Sequence, residues 1–316
     1  MSCTPRPRGR LPKPTPVLMA VMALATGSAL AQGLPQGGTV VSGSATINQS
    51  GAAMTVTQQT DRLVTDWQRF SVGQGHTLTF VQPSASAVAL NRVIGSDASV
   101  IQGALRANGH VFLVNPNGVL FSPTAEVNVG GLVASTLSIS NEDFLSGRHR
   151  FSGGSTQAVV NQGHITGSAV AFIAARVVNQ GDITAPGGTV ALGAGRTVVL
   201  DLGGPVKLEV QEGALEALIS QGGAIRAPGG VVYLAARSAG DLAATVIRHT
   251  GTTEAQTLAT GERGQIVLLG GLDRDRIDVG GVLDASAPSG GDGGFIETSA
   301  ARVTLAGDLR VTTAAP

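Results

Sequence analysis

The residues with the most distinctive chemistry stand together at Asn115-Pro116-Asn117-Gly118. Each asparagine amide can donate and accept hydrogen bonds. Proline presets φ at the second position of a tight turn, and Asn and Gly suit the third and fourth. Such a tetrapeptide does hydrogen-bonding chemistry: it closes a turn, or it presents amides for recognition. Nothing in it transfers a proton or a group. Apolar runs flank it, Val111-Phe-Leu-Val114 before and Val119-Leu-Phe121 after, so it must join two strands.

Catalytic constellations are harder to assemble. A Ca²⁺-assisted polysaccharide lyase needs clustered carboxylates. The densest run, Asp273-Arg274-Asp275-Arg276-Ile277-Asp278, alternates in charge, which fits an outward strand face or a loop. The five histidines, His76, His110, His149, His164 and His249, are scattered without His-x-x-x-His metal spacing. There is no Gly-x-Ser-x-Gly elbow, and the glycines fall at turns rather than in a dinucleotide loop. Asn48-Gln49-Ser50, the one glycosylation sequon, reads as a plain turn. The sequence calls for no cofactor and no metal, and its function class is binding rather than catalysis.

The elements that position these residues are repeats. Asn161-Gln-Gly-His-Ile165-Thr returns as Asn179-Gln-Gly-Asp-Ile183-Thr, 18 residues on. Ala185-Pro-Gly-Gly-Thr-Val190-Ala-Leu192 returns as Ala227-Pro-Gly-Gly-Val-Val232-Tyr-Leu234 after 42, and loosely from Ala287-Pro288 to Phe295-Ile296 after a further 60. These spacings read as one, two and three units of about 20 residues, the mark of a solenoid. Val190 and Leu192, like Val232 and Leu234, put one side-chain row inward, and Pro-Gly and Gly-Gly pairs make the turns. Asparagines at matching places would stack their amides along the axis. Leucine-rich repeats and propellers lack support, because their Leu-x-x-Leu-x-Leu and aromatic signatures are missing. The fold class is all-β, a parallel β-helix.

A single rung returns about as much free energy as its ordering costs, so it is stable only on an existing rung. The first rungs must therefore form a nucleus, and the open end needs a cap. Residues 32–150 suit that task. They hold Trp67, Phe70, Phe80, Phe112 and Phe121, strand-like runs at Thr77–Val81, Ala87–Val93 and Val111–Val114, and a helical turn at Asn141–Gly147. Residues 151–316 read as repeats that continue the solenoid. Within them, the polar stretch Arg237–Arg263 reads as an excursion.

The start of the chain is a leader. Arg6, Arg8, Arg10 and Lys13 precede an apolar run from Val17 to Ala25, and Ala29-Leu30-Ala31 gives a small-x-small site. This is a signal peptide, residues 1–31, cleaved between Ala31 and Gln32. The run is too short to span a bilayer, which takes about 20 apolar residues. The only cysteine, Cys3, leaves with it. Of 21 basic and 21 acidic residues, four basic ones lie in the leader, so the remainder carries −4. That mild acidity argues against nucleic acid as a partner. With 45 glycines, 42% hydrophobic and 13% charged residues, the chain is too apolar for disorder.

Several further motifs surround the Asn-Pro-Asn-Gly turn. They are Ser44-Ala-Thr-Ile-Asn48, Val64-Thr-Asp-Trp67-Gln-Arg-Phe70-Ser-Val-Gly73, and Ala87-Val-Ala-Leu90-Asn91-Arg92-Val93-Ile-Gly95. Ile101-Gln-Gly103-Ala-Leu105-Arg-Ala-Asn108-Gly109 and Val127-Asn-Val-Gly130-Gly-Leu-Val-Ala-Ser-Thr136-Leu complete the set. In this order they resemble the two-partner secretion domain, the N-terminal haemagglutination-activity region of filamentous-haemagglutinin-like (TpsA) exoproteins, closest to the high-molecular-weight adhesin branch. The likeness covers residues 34–150 specifically and the repeats to 316 loosely.

The resemblance implies a right-handed parallel β-helix with an N-terminal cap and small extra-helical strands. It implies export by the Sec machinery and then through a cognate outer-membrane TpsB barrel, whose periplasmic POTRA domains recognise the unfolded or nascent domain. The product would be secreted or surface-displayed by a Gram-negative bacterium, as an adhesin for a host-cell surface or carbohydrate. The family's secretion motif maps onto Asn115, Pro116, Asn117 and Gly118. Its upstream Asn-Pro-Asn-Leu motif meets only Gln82-Pro83-Ser84-Ala85, and Asn91-Arg92 is a further weak candidate. The alternatives are a β-helical carbohydrate-active enzyme and an autotransporter passenger, the latter lacking a C-terminal barrel. The strand-like Leu309-Arg-Val-Thr runs to Ala314-Ala315-Pro316 without a cap pattern, so the chain reads as a fragment of a longer protein.

Overall fold

The computed structural model describes residues 33–201, 207–240, 243–258 and 263–316. The expected signal peptide, its expected cleavage site at Ala31 and Gln32, and Cys3 lie outside them. Among the described residues the chain winds through three long sheets of 10, 8 and 11 strands. Each turn lays one short strand on each. His110–Val114 in the first sheet leads to Val119–Phe121 in the second and Glu126–Asn128 in the third, and Gly131–Ser135 then returns to the first. Gly131 pairs with His110, so one rung here takes 21 residues. Parallel pairing continues from Arg62–Trp67 to Phe295–Ser299, giving a three-sided parallel β-helix.

The alternation forecast for the rungs is present, and inward residues form one axial core from Leu34 to Ala285. The amide stacking is present too. Asn161 Nδ2 donates to Asn179 Oδ1 at 2.8 Å, and Asn179 Nδ2 donates to Gln221 Oε1 at 2.8 Å. Gln221 Nε2 passes the line on to the Gly223 and Thr252 carbonyls. All three amides are sealed inside, where an unpaired polar group would be costly.

The N-terminal end is capped. Thr39–Ser42 lies antiparallel on Arg62–Trp67, and Ala45–Ser50 lies antiparallel on Ala53–Gln58, so the parallel ladder stops there. Trp67 plugs this end. Gly38 crosses its ring so closely that a Cβ would fall 2.6 Å from it.

Register corrects two expectations. The 42-residue spacing is one rung, since Val190 pairs directly with Val232, and the 60-residue spacing is two, through Ile266 to Ile296. The extra length in the first case leaves the helix as strands Thr197–Leu200 and Leu208–Glu212. The described part of Arg237–Arg263, in contrast, is no excursion. Thr245–His249 and Thr252–Glu254 take regular places in the second and third sheets. Its alternation is hidden because two inward positions are polar: His249 and Thr253 are buried and bond to each other at 2.9 Å.

The true excursions leave the corner between the first and second sheets. One holds the helix Asn141–Ser146, capped by the Ser140 hydroxyl and by Gly147 in the left-handed region, followed by the strand His149–Ser152. That strand pairs antiparallel with Thr197–Leu200 of the second excursion. The resulting three-stranded sheet covers the outer face of the first sheet and buries Val64, Leu90, Phe112, Val133 and Tyr233. The first sheet is therefore apolar on both faces, as its runs His-Val-Phe-Leu-Val and Ala-Val-Ala-Phe-Ile-Ala record.

Candidate functional site

The Asn115–Gly118 turn joins the first-sheet strand His110–Val114 to the second-sheet strand Val119–Phe121. Gly118 N–H donates to the Asn115 carbonyl at 3.1 Å, closing the turn, and Gly118 has φ +112°, a left-handed value that glycine adopts without strain. Asn115 Oδ1 accepts the Asn117 N–H at 2.9 Å, so the first amide folds the turn onto itself.

Both amides also grip the preceding rung. Asn115 Nδ2 donates to the Asp97 carbonyl at 2.9 Å and to Ser99 Oγ at 3.0 Å. Asn117 Nδ2 donates to the Gly95 carbonyl at 2.9 Å. From the following rung, Ser155 Oγ donates to the Pro116 carbonyl at 2.6 Å. Asn115 is fully buried, Asn117 half-buried and Pro116 exposed. The turn therefore staples three successive passes of chain at one corner.

Asn91 and Arg92 lie one rung earlier and point to opposite faces. Asn91 is buried in the axial core, where Oδ1 accepts the Trp67 indole N–H at 3.0 Å and Nδ2 reaches the Phe112 carbonyl at 3.3 Å. Arg92 points outward, meets Asp66 at 3.3 Å, and donates to the Ile139 carbonyl and Asn141 Oδ1. It ties the helical excursion to the first sheet. Arg62, which the sequence did not single out, does the same by donating to the Phe144 carbonyl at 2.8 Å.

Gln82 and Pro83 lie at a different corner, between the third and first sheets. Gln82 is buried. Its Nε2 donates to Gln58 Oε1, and its Oε1 accepts the Gly109 N–H, both at 3.0 Å, while Asn108 bonds its backbone on both sides. Pro83 is exposed. The structure thus places these two away from the Asn115 turn. Gln58, Ser99 and Asn108 complete the two corners, and their only sequence signal is polarity at a strand end.

The charged run at 273–278 ties turns. The buried Asp275 carboxylate accepts from Gly271 N–H at 2.9 Å and from the Ser238 N–H and hydroxyl. Arg274 donates to the Gly240 carbonyl, and Asp278 accepts from the Thr245 hydroxyl. Among the described residues no three His, Cys, Asp or Glu side chains converge as metal ligands. Burial pushes the pKa of His110, His149 and His249 below the ordinary histidine value.

The model of the family described as the TPS secretion domain matches residues 31–284. Two curated relatives, each a heme/hemopexin-binding protein of Haemophilus influenzae, align with the chain. One is 34% identical over 225 residues, covering 67% of this chain and 25% of its own length. The other is 41% identical over 138 residues, covering 43% and 15%. The chain spans a quarter or less of the length of these relatives. Among solved structures, the HMW1 secretion domain of Haemophilus influenzae shares the fold. Its TM-score is 0.66 at 24% identity, covering 88% of this chain and 84% of that one.

Proposed function

The chain belongs to the TPS secretion-domain family, and from that membership we propose that residues 32–150 carry the export address of a two-partner exoprotein. A protein of this family leaves the cell through a cognate outer-membrane transporter and ends secreted or on the surface. The signal peptide 1–31 takes the chain through the Sec machinery, and POTRA domains of the transporter then read the address. Residues 151–316 lengthen the same solenoid. The chain's own work is targeting and binding, not catalysis. Adhesion to a host-cell surface or carbohydrate belongs to the whole exoprotein. The relatives' name adds haem or hemopexin as a second ligand class for it.

Within the address, Asn115-Pro116-Asn117-Gly118 acts through folding. The observation that carries this is the burial of Asn115, whose Nδ2 and Oδ1 are both engaged inside the protein. In the folded domain a side chain so occupied is not on offer to a transporter. Stapling one rung to the last is the step a rung-by-rung folder cannot do without.

The test is Asn115→Asp, measured for secretion and for refolding of the purified protein. The carboxylate cannot donate to the Asp97 carbonyl, and leaving that acceptor unmet costs about 1–3 kcal/mol, while the Ser99 hydroxyl can turn to donate to the carboxylate. Slower refolding and lower stability should accompany lost secretion. Lost secretion with unchanged folding would transfer the role to direct contact.

A further inference from the structure

His149 begins the strand His149–Ser152 of the first excursion, and its ring lies 5.2 Å from the Phe112 ring on the outer face of the first sheet. Its Nε2 is sealed from solvent and has no hydrogen-bond partner. A buried polar atom left so is rare and asks for a reason. The neutral ring tolerates the position, because one imidazole nitrogen can stay bare. The charged ring does not, because both nitrogens then carry protons and the Nε2–H finds no acceptor.

The surroundings oppose the charge as well. Arg62, Val88 and His110 follow one another in register along the first sheet. His110 is partly buried, and its ring fills the space that a Cβ on Gly131 would take. Burial is the first cause that holds both histidines below the ordinary 6.5, and for His149 the charge of Arg62 and the neighbouring His110 add to it. Asp201, just after the partner strand Thr197–Leu200, pulls the other way. The other charges close by are engaged or exposed. Asp66 faces Arg92, Arg148 faces Glu142 and Asp143, and Arg150 and Glu209 are exposed.

The layer that holds these histidines is separable from the rungs. Phe112, Phe144 and Phe151 belong to an outer cluster distinct from the axial core. Phe112 meets the Phe144 ring edge-on at 5.3 Å and lies parallel to the Phe151 ring at 6.5 Å. Arg92 ties the excursion down through the Ile139 carbonyl and Asn141 Oδ1, and Arg62 through the Phe144 carbonyl. The ladder beneath does not use these ties, since His110–Val114 pairs with rung strands on both sides. Arg62 is thus both a tie of the excursion and a charge set against a protonated His149.

We propose that residues 139–152 form an acid-released flap: protonation of His149 and His110 lifts them from the first sheet and uncovers Phe112, while the rungs stay wound. Above about pH 6.5 both rings are neutral whether the flap is open or shut, and it stays shut. Below that pH the open flap takes up protons that the closed one refuses, so the open fraction grows as pH falls. A histidine that titrates only in the open flap raises that fraction up to about ten-fold between pH 7.5 and 5.5.

Hydrogen exchange of the purified protein at those two pH values, corrected for intrinsic exchange chemistry, tests the flap. Protection over residues 139–152 should fall several-fold at pH 5.5, while His110–Val114 and Ala169–Ala174 keep theirs. In H110Q/H149Q, whose new side chains stay neutral, residues 139–152 should be protected equally at both. If that pair does not fold, H149Q alone should show a smaller drop than the unaltered chain. Equal protection of residues 139–152 at both pH values in the unaltered chain overturns the proposal. So does a drop that the rungs share, or one that the histidine variants keep in full.

Discussion

Trp67 donates its indole N–H to Asn91 Oδ1 at 3.0 Å inside the sealed core, joining one rung to the next beneath the cap. Asn91→Leu keeps the volume and removes the acceptor. A buried donor left unmet costs about 1–3 kcal/mol. Trp67 is the only tryptophan, so its own emission reports the transition. The urea midpoint followed by that emission should fall accordingly. An unchanged midpoint would mean the bond contributes nothing.

Asn179 stands in the middle of the amide line, donating to Gln221 and accepting from Asn161. Asn179→Leu strands a donor on one side and an acceptor on the other. We expect a loss of about 2–4 kcal/mol by equilibrium unfolding, from two unsatisfied buried groups.

Acid should destabilise the domain. His110, His149 and His249 all have folded pKa values below the ordinary 6.5, with burial the first cause in each. The unfolded chain then binds more protons than the folded one, so stability rises with pH across this window. The contribution is complete above about pH 6.5 and is lost as pH falls through the folded values. His249 has both ring nitrogens engaged, by Gly280 O at 2.8 Å and Thr253 Oγ1 at 2.9 Å. His249→Gln should flatten part of the slope between pH 7.5 and 5 in urea titrations. An identical slope would remove His249 from the account.

Arg92→Lys retains the charge facing Asp66 but cannot reproduce the fork to Ile139 O and Asn141 Oδ1. Hydrogen exchange should quicken over residues 139–152 while the rungs keep their protection, because the excursion opens as a local unit.

Much of the solenoid is legible before any coordinates. The Asn161 and Asn179 repeat shows the rung and its stacked amides, and Asn141 to Gly147 shows a helical turn, whose caps at Ser140 and Gly147 only the structure reveals. What eludes sequence reading is chain that leaves the solenoid but looks like it. Thr197-Val-Val-Leu200 has the apolar pattern of a rung strand, yet it packs on the outside of one. The opposite error arises at Thr245–His249, where inward His249 replaces the expected aliphatic. Polarity in the core and apolarity outside it invert the same rule. At the Asn115 turn, the geometry of the tetrapeptide is readable from its residue types. Its partners Asp97, Ser99 and Gly95 are not, since only the register of the preceding rung brings them near.

The amide line has a further meaning when rung lengths are compared. From Asn161 to Asn179 the chain advances 18 residues, and from Asn179 to Gln221 it advances 42, yet the hydrogen bonds continue without a gap. Length therefore does not keep the count. A slip of one residue would turn every side chain to the wrong face, and an amide in a dry core finds its mate only at zero slip. The line serves as an index mark, read afresh at each turn. Loops between marks are free to grow or shrink, because the alignment of the core is stored elsewhere.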